Sequence, residues 1–90
     1  MTEPDRMRIE SWLKNAISEC AGLTPVEIRT TLPFDRYGLD SVAVIGLGGA
    51  LSKWLARDLD PMLFFDYPTI DKLVDHLDTV LSEGLMHHEL

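Results

Sequence analysis

Ser41 stands in Tyr37-Gly38-Leu39-Asp40-Ser41, directly ahead of the apolar run Val42-Ala43-Val44-Ile45. A glycine turn, an acid and a hydroxyl at the edge of an apolar run predict a helix that opens at Asp40-Ser41, with the hydroxyl exposed at its mouth. The N–H groups of a helix's first turn have no intrahelical partners, and the helix dipole is positive there, so the position suits a phosphate. Ser41 has little chemistry of its own. A nucleophile elbow needs Gly-x-Ser-x-Gly on a strand-to-helix turn, with a positioned histidine and acid. Here Leu39 and Ala43 occupy the two glycine positions, and no strand pattern precedes the serine. These residues predict a serine that another protein modifies, on a chain that carries what is attached.

The other reactive side chains form no second centre. Cys20 is the single cysteine, so no internal disulfide is possible, which fits a reducing cytosol. It falls on the apolar stripe of a predicted helix, where a buried, inert thiol is expected. His76, His87 and His88 do not supply the roughly four closed ligands of a zinc site. No catalytic residue and no metal ligand is assigned.

Three main helices and one short helix must position Ser41. Ile9, Trp12, Leu13, Ala16, Ile17 and Cys20 recur on one helical face, and Arg8, Glu10, Lys14, Asn15 and Glu19 on the other. This predicts a first helix from about residue 4 to about residue 20, with Thr2 as N-cap, Pro4 in the first turn and Gly22 as the stop. Residues 22–40 predict a long connection with one helical turn at Thr24-Pro25, pinned to the core by Leu32, Phe34, Tyr37 and Leu39. A loop this long in a small domain is usually functional.

The second helix is predicted from Asp40-Ser41 to Ala56 or Arg57, with Val44, Leu47, Leu51, Trp54 and Leu55 as its core stripe. Gly46, Gly48 and Gly49 each cost up to about 1 kcal/mol inside a helix, so packing must hold it. They leave a flat surface that another backbone could approach. Asp60 and Pro61 predict the N-cap and first position of a short helix through Phe65. The last helix is predicted from Thr69, with Ile70, Leu73, Val74, Leu77, Val80 and Leu81 inward and Gly84 as its end. Trp12, Trp54 and the Phe64-Phe65 pair read as core rather than ligand contacts, with one phenylalanine firmly in the core and the other able to line a cleft, and His76 as lying on the polar side. The domain is thus expected over residues 1–84, with 85–90 a flexible C-terminal tail. The fold class is all-α, a four-helix bundle with a long loop between its first and second helices.

Ninety residues allow one domain with a small core and no deep catalytic cleft. Eight basic and fifteen acidic residues leave a net charge of −7, which repels nucleic acid and favours protein partners with basic surfaces. No apolar run reaches the roughly 18 residues of a membrane span, and the N-terminus lacks signal-peptide order. A cytoplasmic monomer is expected, with neither nucleic acid nor membrane as partner.

Two segments carry a resemblance to a known family. Gly38-Leu39-Asp40-Ser41-Val42 resembles the G-[LI]-D-S-[LV] signature of acyl carrier proteins and peptidyl carrier domains. Phe65-Asp66-Tyr67-Pro68-Thr69 resembles the segment that opens the last helix of polyketide synthase carriers, and the interval between the two fits without a gap. The resemblance runs from the first helix to about Leu81. It implies an acyl-carrier-like fold in which Ser41 receives 4′-phosphopantetheine from coenzyme A through a magnesium-dependent phosphopantetheinyl transferase. The arm's thiol then carries acyl or polyketide intermediates as thioesters. Asp40, Leu39 and Val42 flank the attachment point, with Asp40 resembling the acid that the transferase reads. The partners implied are that transferase, an acyl-loading enzyme (a fatty acyl-AMP ligase or an acyltransferase) and a ketosynthase or other modifying enzymes.

The chain departs from the family in one respect. Many of its members have a glutamate where Gly46 stands, and polar or basic residues near Gly48 and Gly49. Here no ionisable residue follows Asp40 until Lys53. An apolar docking face is therefore predicted from Val42, Ile45, Gly46, Gly49 and Met62. The pattern also looks like carriers loaded by fatty acyl-AMP ligases, at the start of lipid–polyketide pathways. A peptidyl carrier of nonribosomal peptide synthesis and an unmodified docking module are the alternatives.

Overall fold

A computed structural model of the chain describes the backbone of residues 5–88 and the side chains of residues 5–81. Helix α1 spans Arg6–Ala21 and buries Ile9, Leu13 and Ile17. Its N-cap is Asp5, whose carboxylate accepts the Arg8 N–H at 3.0 Å. The expected cap Thr2 and first-turn Pro4 lie outside the described residues. Gly22 ends α1 as expected, at φ +71°, a conformation that costs a side-chain-bearing residue strain.

The connection to the second helix holds two 3₁₀ turns. The first, Pro25–Glu27, is closed by a capping box in which the Thr24 N–H and hydroxyl donate to the Glu27 carboxylate at 2.8 and 2.9 Å. The backbone bond first, and the hydroxyl second, hold the Glu27 carboxyl below its ordinary range. The second turn, Phe34–Tyr37, was not expected, because Pro33 and Gly38 read as breakers; instead they bound the turn. The predicted pinning is visible: Phe34 is buried, and Leu32, Tyr37 and Leu39 are half-buried. Hydrogen bonds reinforce it. The Phe34 N–H donates to the Pro68 carbonyl at 2.8 Å, and the Asp71 N–H to the Thr30 carbonyl at 3.0 Å. The Tyr37 hydroxyl accepts from the Arg29 N–H at 2.9 Å and donates to the Arg29 carbonyl at 2.7 Å.

Helix α2, Ser41–Leu55, buries Val44, Leu47, Leu51 and Leu55. Trp54 is half-buried and stacks on Trp12 with ring centroids 5.5 Å apart. That stack joins the last turn of α2 to the N-terminal half of α1, so the two helices run antiparallel and Ser41 lies toward the Cys20 end of α1. Helix α3 is a single turn, Leu63–Asp66. It starts two residues later than Pro61 because Asp60 first closes a tighter turn, its carboxylate accepting the Met62 N–H at 3.0 Å. Gly48 lies beneath this segment: an added Cβ would sit 3.4 Å from Pro61 Cα. It is therefore covered by the chain itself and is not part of an open flat surface.

Helix α4, Ile70–His88, seals the bundle with Ile70, Leu73, Val74, Leu77 and Leu81. The Thr69 hydroxyl accepts the Lys72 N–H at 3.2 Å, which starts the helix where expected. Gly84 does not end it. The backbone stays helical to His88, since one glycine costs a helix interior only about 1 kcal/mol. An ion pair between Arg6 and Asp75 links α1 to α4. Among the described residues all regular structure is helical, four helices with α3 the short one.

Candidate functional site

Ser41 is the first residue of α2 and is exposed. The turn that delivers it is built by Gly38, at φ +76° with no neighbour within 4 Å of an added Cβ, and by half-buried Leu39, which packs on the core. Asp40 is the N-cap: its carboxylate accepts the Ala43 N–H at 2.8 Å. This bond satisfies one of the orphan donors of the first turn and fixes the helix start one residue ahead of the hydroxyl. The remaining first-turn N–H groups and the positive end of the dipole favour a phosphodiester on Ser41 by about 0.3–1 kcal/mol at an exposed site. An exposed hydroxyl with clear surroundings and a helix N-terminus beneath it fits a phosphate-linked arm. When bound, that arm supplies a thiol that holds acyl groups as thioesters.

Beyond Ser41 the outward face of α2 is uncharged. Val42 is 77% exposed and Ile45 56% exposed, and an added Cβ at Gly46 or Gly49 meets nothing within 4 Å. Met62, just before α3, is also exposed. The structure therefore leaves all five predicted docking residues accessible. It adds Phe65, 53% exposed; of the Phe64-Phe65 pair, one was expected firmly in the core and the other able to line a cleft. Only one of the two α3 phenylalanines can point inward from a single turn. Phe64 takes the core place, its ring 5.2 Å from that of Phe34.

A cavity of about 290 Å³ opens beside α3, lined by Pro33, Phe34, Leu39, Val44, Phe64 and Phe65 among others. Sequence reasoning did not find the shallow groove of about 440 Å³ between α1 and α2, lined by Trp12, Ala16, Cys20, Ala43, Gly46 and Ala50 among others. Cys20 is exposed there, which corrects the expectation of a buried thiol. The residues facing it from α2 are Ala43 and Gly46, too small to cover it, while Ser18 turns inward and donates to the Asn15 carbonyl at 2.8 Å. His76 lies on the polar side of α4 as expected, near Lys72, Asp75 and Thr79, and is half-buried there by stacking on Tyr67 at 4.2 Å. Among the described residues no group of histidine, cysteine or acidic side chains could hold a metal ion.

Comparison with known proteins agrees with this geometry. Residues 11–77 match the family described as "Phosphopantetheine attachment site". The chain is 33% identical over 81 residues to polyketide synthase PksM of Bacillus subtilis, covering 90% of this chain and 2% of that protein. It is 40% identical over 65 residues to a phenolphthiocerol/phthiocerol polyketide synthase component of Mycobacterium tuberculosis, covering 71% of this chain and 4% of that protein. It thus spans only a few per cent of the length of these relatives. Among solved structures, an acyl carrier protein from Anabaena with a variant phosphopantetheinylation-site sequence superposes with a TM-score of 0.80 at 34% identity, over 89% of this chain and 91% of that one. A free-standing peptidyl carrier protein from Acinetobacter baumannii superposes with a TM-score of 0.81 at 28% identity, over 87% and 98%.

The chain belongs to the phosphopantetheine-attachment carrier family, and 4′-phosphopantetheine is its covalent cofactor.

Proposed function

We propose that Ser41 is the attachment point and that the chain presents acyl or polyketide intermediates, as thioesters on the arm, to separate enzymes. The observation that carries this is the exposed serine at the first position of α2, one residue after the Asp40 cap. Asp40, Leu39 and Val42 form its immediate surroundings: the acid caps and is read by the transferase, Leu39 anchors the loop, and Val42 borders the arm. The chain catalyses nothing itself. The carrier unit is residues 1–84, and residues 85–90 are dispensable for modification.

Enzymes that act on the arm must approach the Ser41 end of α2. The face they meet there comprises Val42, Ile45, Gly46, Gly49 and Met62. A phosphopantetheinyl transferase adds the arm, a fatty acyl-AMP ligase or an acyltransferase loads it, and a ketosynthase or another modifying enzyme receives the cargo. The site of action is the cytoplasm. No described helix is long and apolar enough to cross a membrane.

Peptide mapping tests the attachment point. After transfer from coenzyme A, tryptic cleavage yields the peptide of residues 37–53, which holds both Ser41 and Ser52. Fragmentation that places the arm on Ser41 supports the proposal, and an arm on Ser52 contradicts it. Loading assays with a fatty acid, ATP and a fatty acyl-AMP ligase, against malonyl-coenzyme A and an acyltransferase, separate the two loading classes.

A further inference from the structure

Tyr37 closes the Phe34–Tyr37 turn and stands directly before Gly38, Leu39, Asp40 and Ser41. Its ring is half-buried against the core, and its hydroxyl reaches back eight residues along the chain. There it meets both backbone groups of one residue: it accepts the Arg29 N–H at 2.9 Å and donates to the Arg29 carbonyl at 2.7 Å. Arg29 lies outside any helix, so without the phenol this N–H and carbonyl would go to water.

Arg29 is a fixed anchor. Ile28 before it is buried, and the Thr30 carbonyl after it accepts the Asp71 N–H at the start of α4. The Phe34 N–H is tied to the Pro68 carbonyl just ahead of the same helix. Gly38 is the opposite. It sits at φ +76° with no atom within 4 Å of an added Cβ, so its own surroundings do not limit the backbone. This joint is held from both sides, by the Asp40 cap toward α2 and by Tyr37 toward the turn. Leu39 adds an apolar contact, which is non-directional.

We infer that the Tyr37 hydroxyl is a positioning group for arm transfer: it orders the loop ahead of Ser41 before the transferase arrives. This rests on attachment at Ser41, and Tyr37 acts through the loop rather than on the reacting oxygen. An enzyme that modifies Ser41 must engage the residues around it, and a loop already ordered costs less to bind. The two hydrogen bonds lie at the surface, where water replaces them at little cost to global stability. Their loss therefore shows in the loop and in binding rather than in the melting of the bundle.

The test is Tyr37→Phe in the full chain, which keeps the ring and removes only the hydroxyl. Wild type is first incubated with coenzyme A, magnesium and a promiscuous phosphopantetheinyl transferase, and the arm is located by peptide mapping. A folded wild type that takes no arm, or takes it away from Ser41, would overturn the attachment reading and this inference with it. With transfer at Ser41 in hand, the rate is measured against carrier concentration. The expected result is a KM several-fold higher in Tyr37→Phe with kcat unchanged. Hydrogen exchange should quicken at the Arg29 and Gly38 amides, while the amides of α1 and α4 keep their wild-type rates. Val74→Ala, which weakens the buried middle of α4, is the control: it should lower the melting temperature more than Tyr37→Phe does and leave KM as in wild type. An unchanged KM in Tyr37→Phe, a fall in kcat alone, or an equal rise in KM in Val74→Ala would each overturn the inference, the last by making the effect one of general stability.

Discussion

Asp40 accepts the Ala43 N–H through its carboxylate at 2.8 Å, and the span closed by that bond contains Ser41. One acid therefore sets both where α2 starts and where its first hydroxyl stands. Cap and proposed attachment point are parts of the same local structure.

The two roles of Asp40 separate by substitution. Asp40→Ala should cost about 1 kcal/mol by loss of the cap, whereas Asp40→Asn should cost only a few tenths, because asparagine caps as well. If the transferase reads the Asp40 charge as proposed, arm transfer should nonetheless slow in Asp40→Asn. Thermal melts and a timed transfer assay check both. Transfer at the wild-type rate in Asp40→Asn would confine Asp40 to capping.

Two left-handed positions predict opposite stability changes. Gly38 at φ +76° has open space around it, so Gly38→Ala should cost about 1–2 kcal/mol through the backbone alone. Ala56, the C-cap of α2, sits at φ 56° with a Cβ, so Ala56→Gly should stabilise by up to about 1 kcal/mol. Denaturant titration of both variants measures this.

On the proposed docking face, Gly46→Glu should raise helix stability by about 0.5–1 kcal/mol, because the added side chain meets nothing and glutamate is the better helix former. Arm transfer should stay near wild type while acylation by the enzyme that loads the wild-type protein weakens. That loading should also vary little with salt, since no charged pair spans an uncharged face. A steep salt dependence would point to ion-pair docking.

Glu27 gives a pH prediction. Its carboxyl is held below the ordinary range in the folded state, so the stabilisation is fully present above the unfolded value and is lost as pH falls through the folded one. Glu27→Gln should therefore lower stability modestly at neutral pH and flatten the acid limb, the two proteins converging at low pH. Melting temperatures from neutral pH down through the carboxylate range would show it.

The three long helices were legible because each presents an apolar period of 3.6 residues over three turns or more, as with Ile9, Leu13 and Ile17, or Leu73, Val74 and Leu77. Ser41 was legible because its flanking residues carry both a turn signal and a cap signal. The exposure of Cys20 was not. It depends on Ala43 and Gly46 facing Cys20 from another helix, and periodicity within α1 says nothing of its neighbour's size. The Phe34–Tyr37 turn was hidden for a related reason: a tertiary plug, Phe34 on Phe64, holds a segment whose local residues favour breaks. The run of α4 past Gly84 shows a helix signal outlasting a single weak former.

The most direct test is intact-protein mass spectrometry of the wild type and Ser41→Ala after incubation with coenzyme A, magnesium and a promiscuous phosphopantetheinyl transferase. Ser41 is exposed, so Ser41→Ala should fold with stability within about 0.5 kcal/mol of wild type. The wild type should gain the mass of one phosphopantetheine and the variant none. A folded wild type that gains nothing, or a Ser41→Ala protein that gains the arm, would contradict the assignment of Ser41 as the carrier's attachment point.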